Sequence, residues 1–290
     1  MWDKIGYDIY ISSWNGRLGN NILQLCCALF VAEKTKSVLS YPKHPNISMR
    51  SFDFRGPFQT NCGVSVKDQF FGHTMLKNLL KEYTEFVQVR ISRVYIYPLL
   101  DVDKQHNAKL NVSDPKTLVI HMRSGDSMRK GVNKNYPQPP LAVYKKIISG
   151  ENFSNVLIVT EKDQVNPCIG ALKEFCDCEG LKCHIQTGSL KQDVSTIITA
   201  RYLVTSQSSF AWSLLRCNRM CVCVFIPNIR FSKTSILPIV TEQLPFKQYF
   251  YGLPDYTCAG EWTFSAKQLK LMIEYGPIEK IPVKVVDAVF

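Results

Sequence analysis

Hydrophobic positions along the chain switch repeatedly between the short runs of buried strands and the three-to-four spacing of helices. Asp8-Ile-Tyr-Ile-Ser-Ser-Trp14 is a short apolar run with the character of a buried first strand. Gly16 and Gly19, three apart within Asn15–Asn21, predict a tight turn. Residues 22–35 then keep helical spacing, and Ser37-Val-Leu-Ser-Tyr41 is a second strand stopped by Pro42. Strand, glycine turn, helix and strand make a βαβ unit, whose turn aims backbone N–H groups and a helix N-terminus at a ligand. No third glycine follows at the spacing of the dinucleotide fingerprint.

Residues 42–111 are less regular. Residues 46–63 scatter Gly, Pro and Asn, residues 70–90 have helical character, and Ile91-Ser-Arg-Val-Tyr-Ile-Tyr97 is a candidate strand. Residues 101–114 are polar, end at Asp114-Pro115 and mark a domain boundary. Beyond it the alternation is clean. Strands are expected over 117–122, 156–160, 182–186, 202–205 and 221–226, and helices over about 140–149, 167–178, 192–200 and 206–216. Repeated β-α steps predict a parallel sheet covered on both faces. The fold class is therefore α/β, with two Rossmann-like domains facing across a cleft. Residues 1–114 are expected to form the N-terminal domain, on the acceptor side, and 115–250 the C-terminal, nucleotide-sugar-binding one. Residues 251–290 are a tail with a closing helix near 267–275, packing back on the N-terminal domain.

Composition narrows the partners. The chain has 290 residues, 46% hydrophobic, enough for a sizeable core. Its formal net charge of +11 suits an anionic partner, including a phosphorylated small molecule. The basic residues form no run, so a nucleic-acid partner is not expected. The most apolar helical stretch, 22–32, is too short to span a bilayer and contains Gln24. With no signal peptide visible, a soluble, cytoplasmic protein is expected, lumenal only if an anchor was removed. The eleven cysteines fit reduced, mostly buried thiols. Cys168, Cys176, Cys178 and Cys183 cluster loosely, but C-x7-C-x-C-x4-C is not a usual zinc spacing, and no metal site is expected.

Candidate chemistry gathers at strand ends. His121-Met-Arg-Ser-Gly-Asp126 follows the run Leu118-Val-Ile120. There an arginine's planar fork suits a phosphate, and a glycine lets the chain turn. Ser206-Gln-Ser-Ser209 opens a helix, either as a phosphate cradle or only as a cap. Glu161 closes the neighbouring strand.

These residues also resemble a known family. Gly16-Arg-Leu-Gly-Asn-Asn-Ile-Leu-Gln24 resembles the amino-terminal signature of the α-1,2-fucosyltransferases, glycosyltransferase family 11. His121–Asp126 is similar to the H-x-R-x-G-D motif of the wider fucosyltransferase superfamily. Asp193 followed by Ala200-Arg-Tyr-Leu-Val-Thr-Ser-Gln-Ser-Ser-Phe-Ala-Trp212 resembles the third motif, with Gln207 where the family usually has Asn. The resemblance implies a GT-B-like fold and metal-independent, inverting transfer of L-fucose from GDP-fucose to a glycan hydroxyl, with no cofactor. It implies that Arg123 grips the donor pyrophosphate, that Ser206, Ser208, Ser209 and Phe210 add donors, and that Asp193 meets the base or ribose, although by position Asp193 equally suits a cap for the helix that begins beside it. Gly16, Arg17, Gly19 and Asn20 would approach donor or acceptor. For a general base, His121, Asp126 and Glu161 are all candidates by position. Two other readings stand beside this one: the same fold with another GDP- or UDP-sugar, and a catalytically silent carbohydrate- or nucleotide-binding protein.

Overall fold

A computed structural model describes residues 7–55, 62–66, 81–128, 138–228, 244–253, 256 and 265–289. The chain divides into two compact units, Met1–Val102 with Trp212–Arg219, and Asp103–Ala211 with Met220–Phe290. The division falls at Val102, twelve residues before Asp114-Pro115.

In the first unit β1 (Tyr7–Ile11) lies between β2 (Val38–Ser40) and β4 (Cys62–Val66), parallel to both. The short β3 (Phe52–Asp53) pairs antiparallel with β2 at the edge. Helix α1 (Leu18–Thr35) makes the β1–β2 crossover. It begins four residues before the expected Ile22, so Gly19 and Asn20 belong to its first turn. Nearly every side chain on it is buried, as for a helix covered on more than one side. It stops at Lys36, which adopts a left-handed φ of 53°.

The candidate strand Ile91–Tyr97 is helical instead. Helix α2 (Glu85–Ile91), capped by Thr84, runs on as a π turn (Ser92–Ile96) and a 3-10 turn (Tyr97–Leu99). Its β-branched and aromatic content favours a strand. The buried positions Val89, Ser92, Ile96 and Leu99 recur at three to four residues, so packing overrides propensity. Of the helical pattern over 70–90, residues 70–80 lie outside those described.

The last piece of the first unit arrives late in the chain. Arg216 Nε donates to Glu85 Oε1 at 2.5 Å and its Nη2 to Oε2 at 2.8 Å. The two side chains are only 8% and 6% exposed. Such a two-pronged pair satisfies both charges where water cannot.

The second unit holds a seven-stranded sheet in the order β11-β10-β9-β8-β5-β6-β7. The strands are β5 (Thr117–His121), β6 (Asn155–Val159), β7 (Lys182–Gln186), β8 (Tyr202–Val204), β9 (Cys223–Asn228), β10 (Lys247–Gly252) and β11 (Val283–Val286). All neighbours pair in parallel except β10 with β11. Leu118, Val119 and Ile120 are fully buried, as expected of a central strand covered on both faces. Each contributes about 1.5–3 kcal/mol by burial. Helices α4 (Leu141–Gly150), α5 (Pro167–Cys178) and α8 (Ala266–Glu274) pack together around one buried cluster.

The polar stretch 101–114 is no linker. Asp103 caps α3 (Lys104–Lys109), and its backbone N–H donates to Ser195 Oγ at 2.6 Å. Asn107 Nδ2 donates to Ser195 O and Thr199 Oγ1, fixing α3 on α6 (Leu190–Thr199). The segment is polar because its contacts are hydrogen bonds. The described part of 251–290 likewise belongs to the second unit, not the first: β11 extends its sheet and α8 joins its core. Strands β3, β4, β10 and β11 lie in stretches where the sequence predicts no strand.

Breaking the buried pair with Glu85→Ala is expected to cost about 3–5 kcal/mol of stability, read from the urea midpoint. Glu85→Leu with Arg216→Met should recover most of that loss. Equal losses in both variants would show that charge pairing is not what the site requires.

Candidate active site

The chain enters the second sheet at β5, moves outward through β6 and β7, then returns across β5 to β8. The connections on either side of the β5–β8 pair therefore diverge. In open α/β sheets the crevice at the carboxyl ends of such a pair receives ligands. Register places the candidate loops there: Ile120 pairs with Val204, so His121 and Thr205-Ser206 leave the sheet side by side. His121 Nδ1 and Ser206 Oγ are joined at 2.6 Å. The His121 ring also packs against Phe210, with centroids 5.6 Å apart.

The loop after β5 is held from the neighbouring strand. His121 pairs with Val159 on β6, so Glu161 falls beside Ser124. Glu161 Oε2 accepts the Ser124 N–H at 2.6 Å. Asn166, which caps α5 by accepting from Cys168 N, reaches back through Nδ2 to Arg123 O at 2.9 Å. Its own N–H donates to Ser124 Oγ at 3.1 Å. Gly125 adopts a φ of 48°, and a Cβ there would come within 3.2 Å of the Asp163 carboxylate. That geometry gives the glycine its place in the motif.

Arg123 is thus fixed through its backbone. Its side chain is 12% exposed, and Nη2 donates to Asp126 Oδ1 at 2.7 Å. Ser208 Oγ accepts the Phe210 N–H at 3.2 Å and caps α7 (Ser209–Cys217). Ser209 and Phe210 are half-buried at the start of that helix. His121, Arg123, Asp126, Glu161, Ser206, Ser208, Ser209 and Phe210 therefore cluster at the carboxyl ends of β5, β6 and β8.

Asp193 stands one strand further out. It does not cap its helix, because Ser189 and Gln192 form the capping box. Instead Asp193 Oδ1 accepts from Gln186 Nε2 at 2.7 Å, at the end of β7. Gln186 Oε1 accepts from His106 Nε2 at 2.9 Å and from Thr196 Oγ1 at 3.0 Å. Burial raises the Asp193 carboxyl to about 6; the Gln186 bond holds it back, and the charge of Glu161 raises it further.

Gly16, Arg17, Gly19 and Asn20 belong to the first unit. Gly16 has a φ of 74°, and a Cβ there would meet Asn20 Nδ2 at 2.5 Å. Arg17 is exposed at the N-cap of α1 and makes no side-chain cap bond. Helix residues brace the turn: Gln24 accepts from Asn15 N and donates to Ser13 O, while Asn21 donates to Asn15 O. Gly19 O accepts the Ser213 hydroxyl at 2.9 Å.

Sequence reasoning missed Ser124, Asn166, Gln186 and His106 as parts of this arrangement. Asn166 carried a signal, since an Asn before Pro167 is a helix-start pattern. One partner of Gln186, His106, is 80 residues away, and that pairing carried none.

Among the described residues no group of three His, Cys, Asp or Glu side chains is placed to hold a metal ion. No described helix is long and apolar enough to cross a membrane.

No family model and no curated protein matches the sequence at a significant level. Among solved structures the chain is similar to POFUT1 in complex with GDP, at 11% identity, over 77% of this chain and 98% of that one, with a TM-score of 0.44. It is also similar to POFUT1 in complex with GDP-fucose in two crystal forms, each at 10% identity. Form II gives 76% and 98% coverage with a TM-score of 0.45, and form I 79% and 99% with 0.46.

Two titration outcomes follow. Burial first, and then the positive charge of Arg123, lower the His121 imidazole to about 3. An NMR titration of its ring should show no protonation between pH 8 and 5; a midpoint near 6.5 would overturn the neutral assignment. The contribution of the raised Asp193 carboxyl to stability is present below about 3.8 and is lost as pH rises through about 6. Asp193→Asn should therefore raise the urea midpoint at pH 7 and leave it unchanged at pH 3.

Proposed function

We propose that the β5–β8 switch point binds the diphosphate of a nucleotide sugar, and that the protein is a metal-independent, inverting glycosyltransferase. The preferred donor is GDP-fucose, with a glycan hydroxyl as acceptor. The observation that carries this reading is the meeting of two loops at the switch point. One presents Arg123 and the other presents Ser206, Ser208 and the start of a helix, with His121 joined to Ser206 at 2.6 Å. A leaving nucleoside diphosphate gains negative charge in the transition state. A backbone-fixed guanidinium and a helix N-terminus stabilise it without reorganising.

In this reading Arg123 is the diphosphate clamp and Asp126 orients its guanidinium. Glu161 positions the loop through Ser124 N, and His121, neutral and buried, orients Ser206. Asp193 meets the base or ribose. None of the three base candidates is then required to take a proton. That suits a dissociative, oxocarbenium-like path in which the acceptor hydroxyl is deprotonated late.

Thermal-shift titration with GDP, UDP, ADP and dTDP tests the donor: stabilisation by GDP above the others is expected, and stabilisation by none would sink the reading. Arg123→Ala should keep its fold and lose about 10²–10³-fold in GDP release from GDP-fucose. Turnover should be indifferent to EDTA. Wild-type turnover in Arg123→Ala would remove the clamp assignment.

A further inference from the structure

The proposed reaction needs a seat for its acceptor, and the first unit carries an aromatic group outside the residues assigned above. In the first sheet β1 lies between β2 and β4, and the chain reaches β2 before it crosses back to β4. The carboxyl end of β1 is therefore a second topological switch point, of the kind that receives ligands in open parallel sheets. Trp14 leaves the sheet there, shortly after β1 ends at Ile11. Tyr41 and His44 follow the adjacent β2, which ends at Ser40.

The three rings meet edge to face. Trp14 lies 5.1 Å from His44 at 78° and 5.7 Å from Tyr41 at 61°, centroid to centroid. Trp14 Nε1 donates to Pro42 O at 3.1 Å, which satisfies the one polar atom of the indole and fixes the plane of its ring. Tyr41 is buried behind it, its hydroxyl donating to Ser48 O and accepting the Arg50 N–H. His44 Nδ1 accepts the Asn46 N–H at 3.0 Å, so Nε2 carries the proton and donates to Asn21 Oδ1 at 3.1 Å. Burial lowers the His44 imidazole below its ordinary value, which keeps it neutral at neutral pH.

The backbone on either side of Trp14 is held by buried amides. Gln24 donates to Ser13 O at 3.0 Å and accepts from Asn15 N at 3.2 Å, while Asn21 donates to Asn15 O at 2.9 Å. Gln24 is fully buried and Asn21 is 2% exposed. Burying an amide is tolerated only with partners, and here the partners are the backbone of this turn and His44. Two polar side chains are thus withdrawn from water to preset a turn whose residues Asn15, Gly16 and Arg17 are exposed. Trp14 itself is half-buried, and with its N–H satisfied it offers a rigid apolar wall beside them.

We propose that Trp14, backed by Tyr41 and His44, is the stacking platform for a pyranose ring of the acceptor glycan. The identity of this ligand rests on the glycosyl-transfer reading above. A pyranose carries its hydroxyls around the rim and gathers C–H groups on one face. That face is apolar and slightly positive, and it complements the negative face of an indole. Asn15 and Arg17 follow on the same exposed turn, where ring hydroxyls find polar partners.

The test is saturation-transfer difference NMR on the full chain with methyl β-glucoside, methyl β-galactoside, methyl β-xyloside and methyl α-mannoside, each with and without GDP. For at least one glycoside, transfer should be strongest to the C–H groups of one ring face. That transfer should be lost in Trp14→Leu, which keeps apolar bulk against Tyr41 and His44 but has no flat face, and should return in part in Trp14→Phe. The Trp14 indole N–H resonance, assigned by its absence from Trp14→Phe, should shift when the same glycoside is added to the unaltered chain, a reading that needs no destabilised variant. Equal transfer to all ring protons, transfer undiminished in a folded Trp14→Leu, a Trp14 resonance that does not move, or no transfer to any of the four glycosides would each overturn the platform. The glycosides carry no nucleotide, so these outcomes are independent of the GDP titration that tests the donor.

Discussion

One carboxylate and one backbone N–H fix the loop that carries Arg123 at the carboxyl end of the second sheet. Glu161 accepts from Ser124 N, and that contact sets the course of the chain after β5. Arg123 is the residue directly before that N–H, and Gly125 turns the chain directly after it. Asn166 secures the same stretch from a second side while capping the next helix. The arrangement is economical because sheet register supplies it. Once His121 pairs with Val159, Glu161 has little choice of neighbour. A carboxylate bound to a backbone N–H also carries negative charge towards Asp193, which adds to the effect of burial in raising that carboxyl to about 6.

The electrostatic character of the cluster follows from burial more than from composition. His121 is neutral because its ring is enclosed by the sheet and by Phe210, with a guanidinium two residues away. Asp126, the most exposed of the acidic candidates here, is drawn to that same guanidinium. In this setting a positive fork and a set of hydroxyls are better preorganised than any proton acceptor. Under the proposed function, such a site would stabilise a departing anion more readily than it would activate a nucleophile.

Much of the second unit was legible from its sequence. Buried parallel strands are near-continuous apolar runs, and helices 167–178 and 190–199 carry strong start signals in Asn166-Pro167 and Ser189–Gln192. What could not be seen was anything fixed by distant partners. The segment 101–114 has the composition of a linker because its attachment to Ser195 and Thr199 is polar. Ile91–Tyr97 has the composition of a strand because helix propensity is a weak prior against tertiary packing. Within the site, Arg123 and Gly125 were readable from local chemistry. The engagement of Glu161 with Ser124 required knowing which strands are neighbours.

The return of residues 212–219 to the first unit has a consequence for biosynthesis. Glu85 and Arg216 are 131 positions apart, with the greater part of the second unit between them. A ribosome delivers Glu85 long before its partner. During that interval the nascent amino-terminal unit holds a carboxylate where the finished protein has a buried ion pair, and the apolar seat of Leu214 and Leu215 is unfilled. Its core is therefore completed post hoc, by a segment translated after the polypeptide has already passed through another sheet. A unit completed in this way leaves apolar surface uncovered for longer than one closed by its own contiguous chain.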